Sequence, residues 1–397
     1  MLKWGLIISS LIILIVACTK TKDTGPAAYV PKVGIQDVQS ERSEQKTNLK
    51  FFVYIDKITT VPVSVDYSLT YGTALANKDY TNKTGTVTIP IGETFATFDA
   101  ELLGDVEKLR QPNLYFNVKL SNPKDCTIDI ADAKGIILTE NAPNIKTDNT
   151  GYTTPNSYSG YNLVWSDEFN GNALDLNTWN QELGNGSGGW GNNELEYYTN
   201  KPTNTFVSNG NLIIEARKEY VNGFGYTSGR MTTQNKKTFK YGRIDIRAKL
   251  PVGQGIWPAL WMLGSNISSI GWPACGEIDI MELVGSHPST TYGTAHWKQA
   301  TGGTKSFGSE YNLASGDFSS KFHVFSLIWQ EDSMKWYVDD EYFCTVSKAT
   351  VGTANYPFND NFFFIFNVAV GGKWPGTPPS TTVFPQRMFV DYVRVFQ

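Results

Sequence analysis

Short segments in which apolar and polar residues alternate recur from residue 32 to the end of this 397-residue chain. LKFFVYID, VPVSVDYSL, ATFDAELL and YGRIDIRAKLP are examples, and Gly, Asn, Asp or Pro residues separate most of them. Because side chains on a strand alternate between its two faces, this pattern predicts half-buried strands. No segment has a long helical period, so the sequence predicts an all-β protein built from sandwiches.

The alternating segments fall into two blocks, which predict two domains. Residues 32–140 contain six such segments at spacings typical of a small β-sandwich. Residues 141–160 are rich in Asn, Thr, Ser, Gly and Pro, which predicts a linker. Residues 161–397 form the second block, for which we expect one large sandwich with jelly-roll topology.

The N-terminus predicts export. One lysine precedes an apolar run from Trp4 to Ala17, which is short for a membrane span and typical of a signal peptide over residues 1–17. The run ends in IVAC, which resembles the bacterial lipoprotein box and implies a lipid on Cys18, followed by a polar tether over residues 18–31. We therefore expect a membrane-anchored protein of the cell envelope, in the outer membrane of a Gram-negative bacterium. An ordinary signal peptide, or a short anchor with an incidental cysteine, is the alternative.

Composition narrows the function. The net charge of −4 and the lack of a basic run argue against nucleic acid as a partner. The chain has 11 Trp, 20 Tyr and 22 Phe, which favours short strands and a stacking surface. Three cysteines follow the N-terminal segment, without the spacing of a zinc site. Cys275 and Cys344 could pair, but we expect them and Cys126 to be buried thiols.

The stretch WPACGEIDIMELVGSHP carries three carboxylates, at Glu277, Asp279 and Glu282. The first two share a face of a strand, whereas the third falls on the opposite face. A β-bulge at 280–281 would restore all three to one side, and bulges gather beside active sites. The alternative is that Glu282 begins a loop and points to solvent.

Three acids on one face suit glycoside hydrolysis. Their mutual repulsion raises the pKa of at least one, and the reaction needs one ionised carboxylate and one protonated acid. Two glutamates can lean toward each other until they are ~5.5 Å apart, which is the retaining geometry. Asp279 lies between them, where it can hold Glu277.

Aromatic and amide residues provide candidates for binding a sugar. Trp257 and Trp261 share a face of a predicted strand, where they either stack on sugar rings or belong to the core. GGKWPGTPP presents Trp374 on a predicted loop. The Gly- and Asn-rich stretch GGWGNNELEYYTN predicts a second loop that offers polar side chains to a ligand: Asn192, Asn193, Glu194, Tyr197 and Tyr198.

VDYSLTYGTALANKDYTNKTGTVTIPIGE, followed by YFNVKLSNP, resembles the Calx-β domain family over nearly all of residues 32–140. Members of that family that bind calcium carry an Asp-Asp-x-x-Glu cluster. Here LLGDVEKLR has only Asp105 and Glu107. We therefore expect a spacer or adhesion module.

The motifs GEIDIMELVG, GIWPALWML, GWGNNELEYYT, YTSGRMTTQNKKTFKYGR, GTAHW and NVAVGGKWPG resemble glycoside hydrolase family 16. The resemblance covers residues 161–397 and is strongest to the laminarinase branch, the endo-β-1,3-glucanases. It implies a concanavalin A-like jelly roll with a concave cleft. It also implies retaining hydrolysis of β-1,3-glucans without a catalytic metal or other cofactor.

The resemblance assigns roles to the acids. Glu277 is the expected nucleophile, Glu282 the acid/base and Asp279 the residue that orients the nucleophile, while Met281 fills the bulge. His296 should lie beside Glu282 on the neighbouring strand. Further residues that match the sugar subsites of the family are Asn193, Arg230, Trp257, Trp261 and Trp374.

The family also often carries a structural calcium ion, for which Glu168, Gly210 and Asp391 match the ligand positions. The laminarinase branch is favoured over two relatives within the family. Enzymes specific for mixed-linkage β-1,3-1,4-glucan usually lack the residue that Met281 supplies, and galactan-specific enzymes usually lack the GWGNNELEYY loop. A non-catalytic glycan-binding protein is the third alternative, and degenerate members of that kind lose a catalytic glutamate. We expect a monomer.

Overall fold

The computed structural model describes residues 29–352 and 355–397. Cys18 and the predicted signal peptide lie outside the described residues, so the lipid anchor stays a prediction. No helix within the described residues has the length and apolarity that a membrane span requires. The described chain divides into two compact units: a smaller one within 29–136, and a larger one comprising Glu41–Lys46, Gly104–Leu114 and Ile137–Gln397.

The smaller unit and its margins contain short strands. These are β1 (Lys32–Ile35), β2 (Val38–Glu41), β3 (Thr47–Ile55), β4 (Val63–Tyr71), β5 (Thr84–Ile89), β6 (Phe95–Leu102), β7 (Leu114–Lys124), β8 (Thr127–Ile130) and β9 (Asp132–Leu138). One sheet has the order β6-β3-β1-β8 and the other β2-β9-β7-β4-β5. In the first sheet β1 and β8 pair in parallel, whereas the other neighbours pair antiparallel. Six strands were predicted here. The additional strands β1, β2 and β8 have four residues each, too few for alternation to reveal.

The larger unit begins with strands that build both of its main sheets. They are β10 (Leu163–Asp167), β11 (Asn180–Gln181), β12 (Glu196–Tyr198), β13 (Thr205–Ser208), β14 (Asn211–Ala216), β15 (Tyr226–Ser228), β16 (Arg230–Thr232), β17 (Gly242–Lys249) and β18 (Ile256–Gly264). Next come the short helix α1 (Ile267–Ile270) and the strands β19 (Glu277–Glu282), β20 (Thr290–Lys298), β21 (Thr304–Asn312), β22 (His323–Gln330), β23 (Ser333–Val338) and β24 (Glu341–Ser347). The chain ends with α2 (Lys348–Val351), a 3₁₀ turn (Pro357–Asn359), β25 (Phe362–Val370) and β26 (Gln386–Phe396).

Two large sheets face each other across one core in this unit. The first has the order β13-β14-β26-β17-β22-β23-β24, with β10 paired to β26. The second has the order β11-β16-β25-β18-β19-β20-β21. Buried residues from both sheets, such as Ile246, Leu327, Met262 and Phe366, form one continuous apolar cluster between them. The all-β prediction and the large sandwich are confirmed, and β18, β19, β20 and β25 place their outer face toward a cleft.

Residues 141–160, which were predicted to be a linker, lie extended against the larger unit. We call this segment the strap. The Ile145 amide donates to Ser208 Oγ at 2.9 Å, and the Thr154 amide donates to the Tyr392 hydroxyl at 3.0 Å. Tyr158 donates its hydroxyl proton to Asp245 at 2.7 Å. The polar composition that predicted a linker therefore supplies hydrogen bonds to the sandwich.

Candidate active site

A β-bulge lies at the predicted position in β19. Asp279 pairs with Thr294 of β20, and Glu282 pairs with Tyr292, so Ile280 and Met281 together face a single residue of β20, Gly293. The pairing with β18 shifts at the same place. Two residues opposite one is the definition of a bulge, and it resets the alternation of side chains. The prediction of a bulge at Ile280–Met281 is confirmed.

The bulge separates acids from apolar residues. Glu277, Asp279 and Glu282 all line one cleft of about 660 Å³. Ile278, Ile280 and Met281 belong to the buried core on the other side. The alternative, in which Glu282 points away into solvent, is excluded because its carboxylate lies in the cleft.

The facing sheet supports this distorted backbone. Trp336 on β23 donates its indole N–H to the backbone carbonyl of Asp279 at 2.8 Å, so a carbonyl buried beside the bulge has a partner. A Cβ on Gly293, opposite the bulge, would lie 2.5 Å from the Trp336 ring. The bulge therefore depends on a tryptophan and on a position where only glycine fits.

His296 lies beside a different acid from the one predicted. It pairs with Glu277 across β19 and β20, whereas Tyr292 occupies the place opposite Glu282. Its Nε2 is 3.2 Å from Asp279 Oδ2 and 3.8 Å from Glu277 Oε1. The prediction that His296 sits beside Glu282 was wrong because the pairing register places Tyr292, four positions before His296 on β20, opposite Glu282.

Burial governs the protonation of the three acids. It raises the pKa of Glu277, Asp279 and Glu282 to about 8 each, and the charge of Asp279 adds to the effect on both glutamates. The charge of His296 acts in the opposite direction on both glutamates. The cluster therefore retains protons at neutral pH, and the glutamate that lies 3.8 Å from the imidazole is Glu277.

Tryptophan side chains bind the two glutamates. Trp272 donates its indole N–H to Glu277 Oε2, and Trp257 donates to Glu282 Oε1, both at 3.0 Å. Trp374 packs edge-on against Trp257, with ring centroids 5.4 Å apart. These rings line the cleft, which excludes the core position left open for Trp257. They combine a stacking surface with hydrogen-bond donors that fix the carboxylates.

Arg230 and Trp261 also line the cleft, as predicted. The guanidinium group of Arg230 forms an ion pair with Glu182 and lies over the rings of Trp190 and Trp261, 4.2 and 4.9 Å from their centroids. Trp261 donates its indole N–H to Asn367 Oδ1 at 2.8 Å. These contacts make one wall of the cleft rigid and amphipathic.

The GGWGNNELEYYTN segment contributes differently from the prediction. Asn193 is exposed and absent from the cleft lining, whereas Asn192 and Glu194 on either side line it. The cause is a tight turn over 189–193, in which Trp190 and Asn193 have φ of 52° and 59°. Such left-handed residues redirect the chain in a way that spacing does not reveal. Tyr198 is fully buried, and Tyr197 packs at a tilt against Phe224, with ring centroids 5.7 Å apart, instead of facing a ligand.

Several cleft residues were not predicted. Trp190, Trp272, Tyr292, Thr294 and Asn367 line the cleft beside the predicted ones. Tyr292 and Thr294 share the period-two face of β20 with His296, so strand alternation alone could have found them. Asn367 is a polar residue in the apolar strand NFFFIFNVAV, which is also a usable signal. Trp190 and Trp272 lie in irregular segments, where no pattern points to them.

Two groups of residues are candidates for binding a metal ion. The ligand atoms of Glu277, Asp279 and His296 lie within 4.8 Å of one another, which is close enough for a small cation. At the predicted calcium site, both carboxylate oxygens of Glu168 accept hydrogen bonds from Arg394, and Asp391 pairs with Arg247 at 2.7 Å. These carboxylates already have cationic partners, so they do not present a free set of calcium ligands. The structural calcium stays a prediction.

The cysteines of the described chain are free. Cys126, Cys275 and Cys344 are buried thiols, and no disulfide joins Cys275 to Cys344. Burial raises the pKa of both Cys275 and Cys344 to about 11. The preferred prediction of buried thiols is confirmed.

Comparison with known proteins agrees with this geometry. Residues 192–394 match the family model for glycosyl hydrolases family 16. The chain belongs to glycosyl hydrolase family 16. The match spans β20, β25 and the bulged strand β19, so the family assignment covers the whole acidic cluster.

Relatives of this family 16 chain carry glucanase names. It is 38% identical over 299 residues to the glucan endo-1,3-beta-glucosidase A1 of Niallia circulans, covering 70% of this chain and 42% of that protein. It is 41% identical over 249 residues to a beta-glucanase of Rhodothermus marinus, covering 60% and 85%. The laminarinase catalytic domain of Thermotoga maritima superposes with a TM-score of 0.57 and 52% identity, covering 60% and 98%. The chain thus spans less than half of the Niallia circulans protein.

Proposed function

We propose that this family 16 protein is a retaining endo-β-1,3-glucanase of the laminarinase type. The observation that carries the proposal is the bulge in β19, which brings Glu277, Asp279 and Glu282 onto one wall of a tryptophan-lined cleft. The names of the relatives and of the similar solved structure support the choice of β-1,3-glucan.

The proposed mechanism is a double displacement. Glu277 attacks the anomeric carbon and forms a glycosyl-enzyme ester, while Glu282 gives its proton to the departing glycosidic oxygen. Glu282 then takes a proton from the water that hydrolyses the ester. The step needs Glu277 ionised and Glu282 protonated. Burial raises the pKa of both glutamates to about 8, while His296 and an indole N–H, from Trp272 and Trp257 respectively, favour the ionised form of each. Asp279, which lies between them, orients the nucleophile and repels negative charge on both glutamates.

A substrate and product profile tests the proposal. The full chain should release oligosaccharides from laminarin and curdlan faster than from lichenan, and should leave agarose intact. NMR of the first products should show the β-anomer, because two inversions restore the configuration. Hydrolysis of lichenan alone would favour the mixed-linkage alternative, and hydrolysis of agarose the galactan alternative. Tight binding of laminarin without turnover would identify a glycan-binding protein.

The pH dependence tests the role of Glu282. Its pKa is raised to about 8, first by burial and then by Asp279, and only the protonated form can act as a general acid. We therefore expect kcat/KM for laminarin to fall about tenfold per pH unit above about pH 8, where Glu282 loses its proton. Ionisation of Glu277, whose pKa is raised to the same value, sets the acid side of a bell-shaped profile. An aryl β-laminaribioside with a good leaving group needs no proton, so its cleavage should lack this alkaline limb. An alkaline limb of equal steepness for both substrates would contradict the assignment.

The location and the calcium site extend the proposal on sequence grounds. The lipoprotein-like IVAC motif supports a lipid on Cys18 and a position at the outer membrane of a Gram-negative bacterium. The match of Glu168, Gly210 and Asp391 to family positions supports a structural calcium ion, which would have to compete with Arg394 and Arg247 for the two carboxylates.

A further inference from the structure

A second carboxylic acid pair lies behind the wall of the cleft. Glu196, at the start of β12, is fully buried. Its Oε2 accepts the backbone N–H of Val370 at 2.6 Å, whereas no hydrogen-bond donor reaches its buried Oε1. Another acid, Glu194, raises the pKa of Glu196 both through its charge and through a shared side-chain hydrogen bond. Two carboxyl groups can form such a bond only if one of them carries a proton.

The surrounding donors decide which acid carries that proton. Glu194 accepts the Tyr198 hydroxyl at 3.1 Å and the Asn192 side-chain amide at 3.2 Å, so both of its oxygens act as acceptors. If Glu196 carries the proton on Oε1, this oxygen, which no donor reaches, can itself donate a hydrogen bond. A proton on Glu194 instead would leave a buried carboxylate at Glu196 with a single partner, which is costly.

Glu194 is the end of a chain of hydrogen bonds that runs along the cleft. Trp261 donates to Asn367, the Asn367 side-chain amide donates to Tyr198 at 3.1 Å, and Tyr198 donates to Glu194. Each group in this series donates in the same direction, so the series ends with Glu194 as an acceptor. Trp261 pairs with Asp279 across β18 and β19, which connects this chain to the catalytic cluster.

We propose that Glu196 stays protonated over the working pH range and acts as a positioning residue, holding the Glu194 anion and through it Asn192 and Trp261 in the substrate cleft. This role rests on the proposed function, since these residues are taken to bind the glucan. Burial, followed by the charge of Glu194, raises the pKa of Glu196 well above its ordinary value, which agrees with the geometry. Arg230 is the other charged group near this series of hydrogen bonds. It faces Tyr198 and is paired with Glu182.

Two substitutions of Glu196 distinguish the loss of its hydrogen bond to Glu194 from a change in side-chain volume. Glu196→Gln keeps an acceptor for Val370 and supplies an N–H donor for Glu194, so it reproduces the protonated acid. Its KM and kcat for laminarin should stay within about twofold of the natural protein. Glu196→Leu has similar size but no donor, so KM should rise about tenfold, as expected for one lost hydrogen bond to a charged group. The change in kcat should be smaller, since the three catalytic acids are untouched.

A stability measurement keeps the test independent of catalysis. A carboxyl group whose pKa is raised on folding contributes stability that is full below its unfolded pKa and is lost as pH rises toward the folded pKa. Glu196→Gln removes this loss of stability. The Tm of the Glu196→Gln protein minus the Tm of the natural protein should therefore increase by about 3 °C per pH unit above about pH 4.3.

Three outcomes would bear on the proposal in different ways. A Glu196→Gln protein that loses as much substrate affinity as Glu196→Leu would overturn it. So would a Tm difference between Glu196→Gln and the natural protein that does not change with pH, because Glu196 would then be ionised in the fold. If the natural protein fails to hydrolyse any glucan, the proposed function fails, but the Tm measurement still decides the protonation of Glu196.

Discussion

Replacing Glu277 with alanine is expected to lower the turnover of laminarin by more than about 10⁴-fold, which is the scale of removing a covalent nucleophile. Glu282→Ala should cause a loss of about 10²–10⁴-fold, as expected for a general acid/base. Neither change should lower Tm, because both acids have a raised pKa in the fold and cost stability at neutral pH. Initial rates on laminarin, with Tm as the control for folding, provide the measurement.

Added azide distinguishes the two glutamates. With an activated aryl laminaribioside, Glu282→Ala still forms the glycosyl-enzyme at Glu277, and azide attack on it gives the β-glycosyl azide. In Glu277→Ala, azide displaces the leaving group directly and gives the α-glycosyl azide. The same anomer from both variants, or retained laminarin turnover in Glu277→Ala, would contradict the assigned roles.

Replacing Glu215 with alanine is expected to destabilise the larger unit by about 3–5 kcal/mol, because it leaves buried cations without their anion. Glu215 on β14 is fully buried and pairs with three arginines. Arg110 lies 3.1 Å from it, and Arg217 and Arg387 lie at 2.6 Å each. The midpoint of thermal unfolding should fall on the order of 10 °C.

Glu219→Ala is the matched control for this prediction. Glu219 forms a single ion pair with Lys201 at 2.8 Å, and both side chains are about a third or more exposed. Exposed pairs contribute at most about 1 kcal/mol, so Tm should change by a few degrees at most. Equal shifts for Glu215→Ala and Glu219→Ala would show that the buried cluster is not an anchor of the fold.

Much of the fold and of the acidic cluster could be predicted because the signals are local. Alternation identified the long strands, and the spacing of Glu277, Asp279 and Glu282 required a bulge if all three were to act together. The position of His296 could not be predicted, because it depends on how β20 pairs with a strand that contains an extra residue. Asn193 was misplaced because its orientation depends on left-handed backbone angles in the preceding turn.

Contacts between distant segments were the least predictable. Nothing in the sequence near Glu196 shows that it is fully buried beside another acid. The cluster around Glu215 joins residues more than 100 positions apart, which no local pattern can reveal. Local rules therefore identified the reacting groups but not the polar contacts that hold them in place.

The strap determines where this protein can be shortened. A recombinant catalytic fragment that began at Tyr161, where the alternating pattern resumes, would lack the partners of Tyr392 and Ser208. It would also lose the side chain of Ile145, which packs on Phe206 and Ile213, and so expose an apolar patch prone to aggregation. Fragments made for crystallisation should therefore retain residues 141–160, even though that sequence looks dispensable. They should also retain Arg110, which pairs with the buried Glu215.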